Sequence, residues 1–205
     1  MKKQFLPALA ALVGLFAQAQ AAAAAVAIQP AVDTPEQRQA LRQFTMCLAQ
    51  ARPSWARDML ARPYLSTAQA SAAAEALTGR DNCLGTHEKQ MIFRTSTMVG
   101  SLAEYFVRAE IGRTDAKRLA SALATAAPLN VTEDFGLCVA AHNVGAATDL
   151  ALSDPGSAQE SKAVSELGAY LPSCANPGEQ LTVDAQALRA LVSNALYRGV
   201  TAASR

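Results

Sequence analysis

The sequence predicts an all-α protein built as a degenerate tandem duplication of a disulfide-containing helical unit of roughly 90 residues. Three observations predict it. Alanine is abundant while aromatic residues make up only 5% of the chain, a composition suited to close-packed helices and unlike that of sheets, where aromatic and β-branched residues dominate. Apolar residues recur at helical spacings through most segments. The four cysteines form two pairs with the same separation, 47 to 83 and 138 to 174, and the second pair lies 91 positions after the first.

Lys2 and Lys3 precede the apolar run FLPALAALVGLF (5–16), and AQAQAAAAA behind it offers several Ala-x-Ala cleavage registers. That is the order of a secretory signal peptide, read here over residues 1–25. The most economical cut follows Ala19, and cuts in the 21–27 tract stay open. The apolar run falls short of the ~20 residues that span a bilayer and nothing comparable follows it, so no membrane span is expected. Loss of Lys2 and Lys3 turns 18 basic and 17 acidic residues into 16 and 17, about one negative charge. No electrostatic case for nucleic acid or an anionic membrane survives that balance. The expected location is the bacterial periplasm or the exterior, where an even cysteine count reads as a disulfide framework. Four cysteines allow three connectivities, and duplication selects Cys47 with Cys83 and Cys138 with Cys174, because a unit that closes its own bond is copied without rewiring.

Unit one spans 33–111. In DTPEQ, Asp33 or Thr34 caps a helix, Pro35 takes its first position, and Glu36 and Gln37 fill the first turn. Leu41, Phe44, Leu48 and Ala51 follow at helical spacings. Arg52-Pro53 breaks the run, since proline lacks a donor and restricts its predecessor. A short helix holds Trp55, Met59 and Leu60, and Ser66 caps TAQASAAAEAL as far as Gly79. Cys83 sits in the loop GRDNCLGTHE. The next helix is read from about Gln90 to Ile111, with Met98, Leu102, Tyr105 and Ala109 on one stripe and Gly112 as its stop. Residues 112–131 hold a connector helix over 114–127 and a joint. Unit two, 132–205, repeats the plan: Thr132 starts a helix with Phe135, Cys138 and Val139, Asp154-Pro155-Gly156 turns, Ser157 caps, 174–178 loops, and the last helix runs from Asp184. At an offset of 90, MVGSLAEYFVR (98–108) lies over LRALVSNALYR (188–198).

Within LAEYFVR, Glu104 and Arg108 stand four apart with the acid first, the favourable order for a solvated helical ion pair. Tyr105 continues the core stripe. The functional reading is an arginine clamping an anion beside a general acid or base. In the second unit the acid and phenol become Asn194 and Ala195 while the arginine persists as Arg198. Arg108, Arg198, Glu104 and Tyr105 are therefore the candidate ligand or partner contacts. The two C-x3-H pairs, Cys83 with His87 and Cys138 with His142, offer a tetrahedral zinc site as an alternative. The spacing is not that of a zinc finger, the cysteines have disulfide partners, and the opposite units carry Gly178 and Ala51 in place of the histidines. His142 is expected half-buried on the Phe135 and Cys138 face. No G-x-S-x-G elbow occurs. Asp81, Glu88, Asp115, Glu133, Asp134 and Asp154 sit in loops or first helical turns, where a carboxylate complements the helix dipole.

The segments LAEYFVR and LVSNALYR, each downstream of a cysteine pair, resemble a helix of the type LRxxLAEALYR in an uncharacterised group of exported, alanine-rich helical proteins of alphaproteobacteria. The resemblance implies an exported helical fold and no activity, so it carries over no functional residue. The expectation is a non-catalytic binding or scaffolding module without a cofactor, with the groove between its units receiving a protein or small molecule. The alternative is a periplasmic hydrolase or metal-binding protein using loop carboxylates or His87 and His142.

Overall fold

The structure is a computed structural model that describes residues 25–29, 32–78, 83 and 93–204. Local chemistry sets most helix boundaries. In α1 (Pro35–Ala51) Thr34 and Gln37 exchange capping hydrogen bonds and Pro35 opens the helix. Arg52, which is not helical, separates α1 from α2 (Pro53–Ala61). The Ser66 hydroxyl accepts from the Gln69 amide at the start of α3 (Thr67–Thr78). Then come α4 (Thr95–Glu110), a 3-10 turn over Ile111–Arg113, and α5 (Ala116–Thr125) capped by Asp115.

The second half holds α6 (Val131–His142), α7 (Val144–Leu152), α8 (Ala158–Gly168), the single turn α9 (Leu171–Cys174) and α10 (Ala185–Ala203), whose cap is Asp184. Cys47 is bonded to Cys83 and Cys138 to Cys174, the pairing read from the spacing. Among the described residues no single helix is long and apolar enough to cross a membrane. Helices α6 and α7 reach that length only together, across a 107° bend, and Leu137, Val139, Leu150 and Ala151 bury their apolar faces in the core.

The fold is mostly helical, as the composition predicts, with one short addition and two corrected boundaries. Strand β1 (Ala25–Gln29) pairs in parallel with β2 (Gln180–Asp184), Ala25 opposite Gln180 and Gln29 opposite Asp184. Val26, Ile28 and Val183 bring their β-branched side chains onto the core from this pair. Helix α4 starts at Thr95, because Phe93 and Arg94 precede it outside the helix, Arg94 with an extended backbone. Helix α6 starts one residue earlier than Thr132, because Asn130 supplies the cap by accepting from the Glu133 amide.

Two apolar clusters form the core. One gathers Phe44, Leu48, Met59, Met98 and Leu102, and the other Leu137, Leu150, Leu167, Leu188 and Leu196. They are continuous: Leu191 of α10 belongs to the first, and Phe135 and Tyr197 pack on both. The halves meet where α4 crosses α10. A Cβ on Gly100 would lie 2.4 Å from Ala190 Cα, so this crossing needs the missing side chain.

Elements recur at a nearly constant offset. Helices α2 and α7 begin at 53 and 144, α3 and α8 at 67 and 158, and α4 and α10 at 95 and 185. The turns before α3 and α8 match in detail. Leu65 (φ 62°) and Gly156 (φ 78°) are left-handed, and their amides donate to Gln69 Oε1 at 2.8 Å and Glu160 Oε2 at 2.6 Å.

Candidate functional site

Among the described residues, buried ionisable groups converge at the junction of α1, α4, α8 and α10. Arg189 lies on α10 among Leu188, Ala190 and Leu191 and is 4% exposed. Its Nε donates to Glu104 Oε1 at 2.6 Å and its Nη2 to Glu104 Oε2 at 2.9 Å, a bidentate pair. Its Nη1 donates to Glu160 Oε1 at 3.0 Å. Arg38 holds Glu160 from α1 at 2.6 Å, and Arg42 spans Asp154 at 3.0 Å and Glu104 at 3.5 Å. Arg42, Arg108 and Arg189 all donate to the Ser153 carbonyl, at 2.8, 3.3 and 2.8 Å. This carbonyl lies at the C-terminus of α7, where the helix dipole favours positive charge.

Burial alone would lower the Arg189 pKa, but Glu104 and Glu160 overcome it and raise the value above that of free arginine. Glu160 is opposed by burial too, yet the Gly156 amide, Arg38 and Arg189 hold its pKa below the ordinary carboxylate range. Arg108 is pulled down by burial and by repulsion from Arg42. The cavity at this junction measures about 30 Å³, room for one or two waters and no substrate. Its four guanidiniums face three carboxylates and the Ser153 carbonyl, and these contacts tie α1 and α4 to α8 and α10.

The residues singled out from sequence are placed as follows. Glu104 is 5% exposed and pairs across helices with Arg189, not along its own helix with Arg108. The local pair gives way because Glu104 faces α10, whose buried guanidinium needs a counter-charge. Arg108 donates to the carbonyls of Ala151, Leu152 and Ser153. Tyr105 packs partly buried on the first cluster, edge-on to Phe106. Arg198 donates to Glu133 Oε2 at 2.7 Å and to the Ala127 carbonyl. Glu133, nearly fully buried, also accepts from the amides of Tyr64 and Leu129.

Cys83 and Cys138 are both in disulfides, and His87 lies outside the described residues. His142 comes close to both Cys138 and Cys174, but those sulfurs are bonded to each other. Its ring is exposed, contrary to the half-buried expectation, because it stacks on Tyr170 at 5.2 Å on the surface. Arg189 was not singled out. Its signal is a lone charge inside an apolar helical run, where the other unit has Val99.

Open space lies elsewhere. A groove of about 480 Å³ runs between the halves, walled by Tyr64, Leu65 and Arg94 on one side and by Val131, Phe135 and β2 on the other. Leu65 and Val131, 50% and 73% exposed, stand on its rim. Burial and the nearby Asp184 carboxylate raise the Tyr64 pKa, so its phenol stays neutral at any physiological pH. A second groove of about 490 Å³ is lined by Arg57, Leu60, Tyr197, Arg198 and Thr201, where Arg57 lies over the Phe106 ring at 5.0 Å. No protein-family model, curated protein or solved structure matches the chain.

Proposed function

We propose that the protein is an exported, non-catalytic binding or scaffolding module, and that the groove between its halves is its working surface. The observation that carries the reading is how the charges beside each space are engaged. At the junction Glu104, Glu160 and Arg189 are buried and bonded to one another around about 30 Å³. The groove of about 480 Å³ is rimmed by exposed Leu65 and Val131, and its Arg94 and Asp184 are tied up as an ion pair.

Export is supported by the basic-then-apolar N-terminus and by the two disulfides, which persist in oxidising compartments. The first residue of β1 is Ala25, so on this reading the signal is cut before it, which keeps the Ala19 register and removes cuts after 25–27. Duplication is supported by the constant offsets of the helices and by the matched turns at Leu65 and Gly156.

Site-specific photo-crosslinking in the exporting cell tests the groove. A photoreactive residue at Leu65 or Val131 is expected to give a discrete adduct, and one at exposed Arg113 is not. Equal labelling at all three positions, or none at Leu65 and Val131, would remove the groove from consideration.

A further inference from the structure

We propose that the groove takes an extended peptide segment with alternating apolar and basic side chains, added as a third strand along the edge of β2 that no described residue pairs. The proposal rests on the groove being the binding surface. Leu181, Thr182 and Val183 all line it. Successive side chains of a strand point to opposite faces, so a groove that meets three in a row meets the strand at its edge. No residue of β1 lines the groove, so this edge is the one turned away from β1. Among the described residues, no backbone group of 181–183 has a hydrogen-bond partner outside the pairing with β1. Backbone donors and acceptors in a partly buried groove call for partners, and a peptide backbone supplies them in register.

The walls define the occupant's side chains. Tyr64, Leu65, Val131, Phe135 and Leu191 make the surface apolar. Its charges are two carboxylates without an ion-pair partner among the described residues, Asp134 and Glu179, beside the Arg94–Asp184 pair at 2.9 Å. Electrostatic complementarity therefore asks for lysine or arginine in the peptide. Leu65 adds an independent sign. It holds a left-handed backbone, which costs a branched side chain, and exposes half of itself, whereas the matching turn uses Gly156. Strain kept on the wall of a groove marks a place where stability is surrendered for contact.

The probe is a pool of blocked hexapeptides with Val, Leu or Phe at alternate positions and Lys, Arg or Thr between them. It is titrated into the disulfide-intact protein and followed by amide NMR and hydrogen exchange. The expected result is a Kd of about 100 μM or tighter for pool members carrying Lys or Arg, with amide exchange in 181–183 slowed at least tenfold. Methylation of alternate peptide nitrogens should abolish binding. Leu65→Gly should raise Tm yet weaken binding at least fivefold, and Val131→Ser should weaken it without lowering Tm. Binding that survives methylation, or that leaves 181–183 unprotected, overturns strand addition. No binding at about 1 mM overturns the peptide class. In either case crosslinks at Leu65 and Val131 would show that the groove itself still holds a ligand, and their absence would show that the groove reading fell with it.

Discussion

Replacing Glu104 by glutamine tests the central claim about how the two halves are joined. The substitution keeps the shape and removes the charge. Glu104 and Arg189 have 6% and 5% of their side chains exposed and share two hydrogen bonds of 2.6 and 2.9 Å. In the variant one of these positions becomes an amide NH₂ facing a guanidinium N–H, two donors without an acceptor. Arg189 keeps Glu160 at 3.0 Å, but Glu160 already serves Arg38. Breaking a buried pair from one side costs about 3–5 kcal/mol, roughly two to four decades in the folded-to-unfolded ratio. For a domain of this length that corresponds to a fall in Tm of roughly 6–20 °C. Urea unfolding with the disulfides intact is the assay, and the midpoint should fall with the slope unchanged. Because the cost lies in an orphaned charge, removing the partner as well should return part of it. Glu104→Gln/Arg189→Met should be more stable than the sum of the single variants by about 1–3 kcal/mol. A Glu104→Gln loss below about 1 kcal/mol would mean that water screens the pair, as at a surface. Strict additivity would mean that the two groups are not coupled.

The other predictions concern the crossing, the bonds and acid. Gly100→Ala should destabilise by at least about 1–3 kcal/mol, because the new methyl meets the Ala190 backbone at 2.4 Å. Gly112→Ala, where nothing lies within 4 Å, should be neutral or stabilising in the same thermal melt. Removing the second disulfide with Cys138→Ser/Cys174→Ser should cost ~4 kcal/mol on the chain-entropy account, read as a lower urea midpoint. Glu160 has a folded pKa below its unfolded value near ~4.3, so its contribution is complete above that value and is lost as pH falls through the folded one. Glu160→Gln should therefore flatten the acid limb of a stability–pH curve below about pH 4.3. An unchanged limb would assign it to other carboxylates.

What the sequence disclosed and what it hid divide by range. Thr34-Pro35, Pro53, Ser66, Ser157 and Asp184 act within four residues of themselves, and each stands where its local chemistry puts it. The disulfide pairing is a long-range fact that became local through repetition, since two equal separations leave one economical wiring. Glu104 had a visible partner four residues away and took one 85 residues away. Ala25–Gln29 and Gln180–Asp184 are five residues each, too short for their alternation to stand out, and their pairing joins segments 155 positions apart.

Corresponding positions of the two halves differ in two ways. Arg189 of α10 stands where α4 has Val99, and its charge is compensated: Glu104, Glu160 and three carbonyl or hydroxyl oxygens surround it, so it strengthens the join and offers nothing outward. Where Gly156 is matched by Leu65, the change is not compensated. The backbone stays left-handed, the side chain stays half exposed, and both choices cost stability that glycine would restore. A difference that neighbours absorb is structural, and one that they leave uncompensated needs a cause outside the fold. Leu65 is of the second kind, and it stands on the wall facing the edge of β2 that has no strand partner among the described residues. On the proposed reading the ligand sits beside Leu65, whereas Nη2 of Arg108 and both terminal nitrogens of Arg198 already donate to Ser153, Ala127 and Glu133.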